Sequence, residues 1–139
     1  MGWITPKTNW VATDFFNASD YNRIVGNIYA IRLQAYQLRG DIPIDPMVIT
    51  KSYDSMLYAS EFNLIEHNLT IINQYTYNFD IGEEQTYFAN QNTPTYAEYN
   101  RIESALARIK AQLDVDMAML PYLPIVLGGA KPFGKRATA

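Results

Sequence analysis

The chain contains no cysteine, so disulfide scaffolds, thiolate metal sites and cysteine nucleophiles are all excluded. Its single histidine, His67, offers no second imidazole with which to converge on a metal ion, and a metal site needs at least two convergent ligands. Charge is sparse as well: 18% of residues are charged, with 11 Lys+Arg against 14 Asp+Glu and a formal net charge of −3. Nucleic-acid binding needs a dense basic face to displace counterions, and the one basic cluster is Lys131, Lys135 and Arg136.

No long apolar run is present. The stretch Leu120 to Leu127 holds Pro121 and Pro124 and is far too short to span a bilayer. Trp3 to Trp10 is polar and proline-interrupted where a secretion signal would be apolar, and Pro6 stands where a myristoylation site requires Ser or Thr. The expectation is a soluble protein that contacts no membrane and leaves a cell only by lysis or as cargo. The triplets Asn17-Ala18-Ser19 and Asn68-Leu69-Thr70 then match the glycosylation pattern by chance.

Catalytic patterns are missing too. There is no glycine-rich phosphate loop, no serine elbow and no lysine set in an apolar stretch. Glu83-Glu84 and Asp114 with Asp116 read as solvated acids, whereas acid–base catalysis needs two carboxylates facing across a cleft. Gly128-Gly129 reads as a flexible joint in a proline-rich tail. Neither cofactor, metal site nor catalytic residue is expected.

What the chain does have is apolar and aromatic weight: 48% hydrophobic residues and 14% aromatics, with 11 tyrosines. It also has a repeat. Asp20-Tyr21-Asn22-Arg23-Ile24, Glu61-Phe62-Asn63-Leu64-Ile65 and Glu98-Tyr99-Asn100-Arg101-Ile102 share the order acid, aromatic, Asn, variable, Ile. Each opens an apolar series at steps of three and four. The first runs Tyr21, Ile24, Ile28, Ile31, Ala35, Leu38; the second Phe62, Ile65, Leu69, Ile72, Thr76, Phe79; the third Tyr99, Ile102, Leu106, Ile109, Leu113, continuing through Met117 to Leu120. Such series are the buried seams of amphipathic helices. His67 falls on the outer face of its helix.

The repeated Asn falls outside the seam all three times, so core burial does not select it, and it reads as helix-entry chemistry, with a ligand contact as the alternative. Asn17-x-x-Asp20 and Thr95-x-x-Glu98 resemble capping boxes, with Ser19 and Ser60 as rival caps. Gly40 with Pro43, Asp80-Ile81-Gly82 and Pro121 mark the three stops, and Ser52 to Tyr58 is a candidate upstream extension of the second helix. The expected fold is all-α: a three-helix up-down-up bundle at 18–120, with extended non-helical arms at 1–17 and 121–139. Ile28, Leu69 and Leu106 should share one central layer.

Apolar surface is left over. Tyr29, Leu33 and Tyr36 form a second stripe on the first helix. Trp3 and Trp10 load one arm, and Tyr122, Leu123, Ile125, Val126, Leu127 and Phe133 the other. Trp3, Trp10, Tyr29, Leu33, Tyr36, Tyr122, Leu123, Ile125, Leu127 and Phe133 are thus candidate interface residues. Either the arms fold back over their own subunit or they meet another chain.

The opening also carries a resemblance. Trp3-x-Thr5-Pro6-Lys7-Thr8-x-Trp10, followed by Asp14-Phe15-Phe16-Asn17-Ala18-x-Asp20-Tyr21-Asn22-Arg23-Ile24, resembles the start of short virion structural proteins from phages and prophages of Gram-positive bacteria. It covers about the first quarter of the chain, and later helices echo only the Tyr-Asn-Arg-Ile part. The resemblance implies a non-enzymatic assembly protein of a tail, baseplate or fibre, located in the virion after assembly in the host cytoplasm. Its partners would be other virion proteins and copies of itself. A glycan-binding tail module, stacking sugars on Trp3 and Trp10, is the alternative; an enzyme of the lysis system is a third reading, opposed by the missing chemistry.

Overall fold

A computed structural model describes residues 2–52, 56–91 and 93–120. It contains three helices: α1 (Ala18–Arg39), α2 (Ala59–Tyr75) and α3 (Tyr96–Met119). All three pairs of helices pack on one another, and no strand occurs among the described residues. The all-α three-helix arrangement is therefore as expected.

Local chemistry sets the helix ends. Asn17 caps α1: its side chain accepts from the Ser19 and Asp20 amides, and Asp20 accepts from the Asn17 amide in return. Gly40, at φ +81°, ends α1 with its N–H on the Tyr36 carbonyl. In α2, Glu61 reaches back to the Tyr58 amide, so neither Ser19 nor Ser60 serves as a cap. At α3 the expected box is not made. Thr95 contributes no side-chain bond, and Glu98 turns to Arg101 instead.

The core follows the predicted seams. Ile24, Ile28 and Ile31 of α1, Ile65, Leu69 and Ile72 of α2, and Ile102, Leu106, Ile109 and Leu113 of α3 are each no more than 1% exposed. Ile28, Leu69 and Leu106 all lie in this single apolar cluster. Its second seam stops early: α2 ends at Tyr75, and Thr76 through Phe79 leave the helix. The Thr76 hydroxyl bonds back to the Ile72 carbonyl, Asn78 takes a left-handed φ of 53°, and the chain doubles back. Ser52 and residues 56–58 are also non-helical, so α2 has no helical extension upstream through them.

Helix direction departs from the up-down-up expectation. Along α1 and α3, Arg23 pairs with Glu103 and Gln34 with Asp114, so both numbers rise together. Along α2 and α3, Glu66 pairs with Arg101 and Tyr77 with Asp116. The three helices are parallel. All N-termini lie at one pole, where Phe16, Phe62 and Tyr99 form one ring cluster with centroid separations of 4.3 to 6.3 Å. An up-down-up bundle needs loops that only turn the chain round. Residues 40–58 and 76–95 are instead long enough to run back the full length of a helix, about 33 Å for α1.

These returning segments are held by the repeated asparagines. Asn22 accepts from the Lys51 amide at 2.7 Å and donates to the Lys51 carbonyl at 2.9 Å. Asn63 does the same to Tyr87 at 2.7 and 2.9 Å, and Asn100 to Trp10 at 2.8 and 3.0 Å. One amide thus meets the N–H and C=O of one residue, as a neighbouring strand would. Five residues further on, Asn27 grips Ile4 and Asn68 grips Asp45 in the same way. Five residues turn a helix by about 140° beyond a full revolution, so the two asparagines of one helix face different grooves. The arm before α1 fills the groove between α3 and α1, the first connection that between α1 and α2, and the second runs down α2, where Asn73 adds a grip on Phe79. At the third position of the second set, α3 has Ala105. The repeated Asn is thus a backbone clamp, not a helix-entry residue.

Two consequences are measurable. Replacing Ile28 or Leu106 with Ala leaves a void in the apolar core and lowers unfolding free energy by about 2–5 kcal/mol, read by urea denaturation. Asn100→Ala leaves the Trp10 N–H and C=O without partners and costs about 1–3 kcal/mol; amide exchange at Trp10 accelerates while exchange inside α2 is unchanged in rank.

Candidate interaction surfaces

Among the described residues three carboxylates are buried, Asp20 at 8%, Glu66 at 1% and Glu103 at 0% exposure. Asp20 is the capping acid of α1, and the two glutamates are the first place to look for chemistry. Glu103 accepts from the Lys7 amide and Arg23 Nε through Oε1, and from Trp10 Nε1 and Arg23 Nη2 through Oε2. All four of its acceptor positions are used. Glu66 accepts from the Gln85 amide, the Tyr87 hydroxyl and Arg101 Nη2. The two sites repeat one design in adjacent grooves: an arginine from the next helix and an aromatic donor from the clamped residue converge on one acid. The third groove has Val25 and Leu64 at the corresponding positions, an apolar pair. Gly82 makes room for Arg101, since a Cβ there would lie 2.7 Å from Arg101 Cδ.

His67 is exposed on the outer face of α2, with its ring nitrogens 3.6 Å from Asp45 and 3.8 Å from Glu84. Among the described residues, no cluster of His, Asp and Glu has the composition of a metal site.

The candidate interface residues separate. Trp10 is 3% exposed, packed at a tilt against Phe16 and Tyr99 with its indole N–H on Glu103 at 2.7 Å. It belongs to the core and not to the surface. Trp3 is half-buried against the same core, with the Lys110 ammonium 5.6 Å from its ring. Tyr29 is half-buried and its hydroxyl accepts from the Met47 amide, so the first connection covers that end of the stripe. Leu33 and Tyr36 stay open at 71% and 60% exposure. Tyr122, Leu123, Ile125, Leu127 and Phe133 lie outside the described residues.

The pole where the three N-termini meet was not foreseen. There an aromatic-floored hollow of about 550 Å³ is bounded by Val11, Phe15, Phe16, Phe62, Tyr96 and Tyr99. A second hollow, of about 320 Å³, adjoins it beside Met56 and Phe88 and shares Leu57, Phe62 and Pro94. Around the rims Phe15 is 89% exposed, Met56 67% and Phe88 60%. The Phe15-Phe16 pair was the signal available in the sequence: one ring packs half-buried against the core, and its neighbour is left outside. Comparison with known protein families, curated proteins and solved structures finds no match to this chain.

Burial also shapes the tyrosine titrations. Burial, then the Glu61 charge, pushes the Tyr21 hydroxyl up to about 12, and burial with Asp20 does the same for Tyr99. Tyr87 is raised further by burial and by its bond to Glu66, and Tyr77 by burial and its bond to Asp116. The unfolded chain ionises near pH 10, so it holds fewer protons than the native state above that pH. Stability is full below pH 10 and falls as pH rises toward 12, by about 1.4 kcal/mol per pH unit for each buried tyrosine. Urea midpoints between pH 9 and 11, followed alongside tyrosinate absorbance, test this; an unchanged midpoint contradicts it.

Proposed function

We propose that the chain is a non-enzymatic assembly protein that works through protein–protein contacts, chiefly at the pole where the helix N-termini meet. The observation that carries the reading is the exposed apolar rim of Val11, Phe15, Met56, Phe88 and Tyr96 around aromatic-floored hollows. Contiguous apolar surface of this kind marks contact sites, and aromatic residues dominate interface cores. The resemblance of the opening residues to short virion structural proteins supports placement in a phage tail, baseplate or fibre, with other virion proteins as partners. The glycan reading loses a platform, because Trp10 is inside the core and Trp3 lies beneath Lys110.

The test is incorporation. Particles purified by density gradient from a lysate of a strain expressing the chain should carry it at a fixed copy number, and Phe15→Asp should deplete it from them. A chain that stays wholly outside particles overturns the virion reading. Saturable binding of the isolated chain to cell-wall polysaccharide would favour the glycan module instead.

A further inference from the structure

The parallel bundle gives the molecule two unlike poles. At one are the hollows; at the other α3 ends and delivers Leu120, after which the sequence reads Pro121-Tyr122-Leu123-Pro124-Ile125-Val126-Leu127. We propose that residues 121–127 of one copy seat in the N-terminal hollow of a second copy, so that the chain assembles head to tail. This rests on the reading of that pole as a contact surface and names its occupant.

Three observations lead there. First is chemistry: the segment is an apolar Pro-x-x-Pro sequence, and proline-spaced apolar peptides dock in aromatic-lined grooves. The floor and walls here are Phe15, Phe16, Phe62, Tyr96 and Tyr99, with Pro94 beside them. Second is size. A hollow of about 550 Å³ with a neighbour of about 320 Å³ accommodates a few apolar side chains and not a folded element.

Third is reach, which decides between the chain's own segment and another's. Tyr96 on the rim is the first residue of α3, whose 24 residues set the hollow about 36 Å from Leu120. Fully extended, Leu127 lies at most about 25 Å beyond Leu120. No copy can plug its own hollow with this segment. A second copy stacked pole to pole brings segment and hollow together directly. Such a contact is heterologous, so it leaves one free hollow and one free segment and continues as a ring or an open filament.

The experiment uses the full chain and two variants, each with one end disabled. Phe15→Asp alters a side chain 89% exposed and so spares the core; Met56→Glu serves as a second variant of the hollow. Leu123→Asp with Ile125→Asp disables the segment. Melting curves check folding, and sedimentation velocity across micromolar to millimolar concentration reads size. The unaltered chain is expected to grow with concentration, and each variant to lose every species larger than monomer. Mixing the hollow variant with the segment variant should restore one junction and give a 1:1 dimer that grows no further. A peptide of residues 120–128 should bind the segment variant and not Phe15→Asp. An unaltered chain that stays monomeric and a peptide that does not bind overturn the proposal, as does a segment variant that assembles normally. If Phe15→Asp still prevents particle incorporation in that case, the pole remains a contact surface and only its occupant is wrong.

Discussion

Everything in this fold depends on one pairing, a carboxamide side chain set against the N–H and C=O of a single extended residue. A parallel bundle forces its connections to travel back along the outside, and irregular backbone laid on helices has polar groups to satisfy. Neighbouring strands would satisfy them in a sheet; here six asparagine amides do so, from Asn22, Asn27, Asn63, Asn68, Asn73 and Asn100. The clamps fix the level of each returning segment, and this in turn delivers Trp10 and Tyr87 to the buried acids Glu103 and Glu66. Those acids then tie adjacent helices through Arg23 and Arg101. Apolar seams hold the helices together, but the clamps determine what fills the grooves between them.

Parallel packing also has an electrostatic cost, because three helix dipoles point the same way and gather partial positive charge at one pole. The repeat supplies the remedy, since its acid falls in the first turn every time as Asp20, Glu61 and Glu98. Two of the three serve a second purpose by bonding Arg23 and Arg101. In the first and third repeats the acid thus neutralises its own helix end while aiming the arginine of the same turn at the neighbouring groove; in the second, Glu61 pairs with Lys51 of the first connection.

Much of this was legible in the sequence, and the limits have physical causes. Apolar steps of three and four located the three helices and their buried seams, because burial imposes that period directly. Asn17-x-x-Asp20 marked a true capping box. Helix direction was hidden, since amphipathic periodicity is the same whichever way a helix points. The five-residue spacing of Asn22 with Asn27 and Asn63 with Asn68 was present to be read, and its outward position did show that the core had not selected it. An amide can cap its own helix or hold a distant segment with the same atoms, and composition does not distinguish the two. Trp10 illustrates the converse. Its aromatic bulk beside Pro6 resembled a sticky arm, yet Glu103, far along the chain, gives its indole a buried partner.

The closing of the ring has a consequence for how the protein is made. Trp10 meets Asn100 across 90 residues of sequence, and Lys7 meets Glu103 across 96, while every other groove is filled by the segment between its own two helices. The first arm to leave the ribosome therefore has no groove to enter until the last helix has followed it. At ordinary synthesis rates that interval is on the order of ten seconds. Throughout it α1, the first connection and α2 can assemble with the clamps on Asp45 and Lys51 in place, while the arm has only the Asn27 grip on Ile4 to hold it. The contacts of highest sequence separation thus form last, and the nascent chain passes through a stage in which a two-helix unit carries an open groove and an arm held at Ile4 alone.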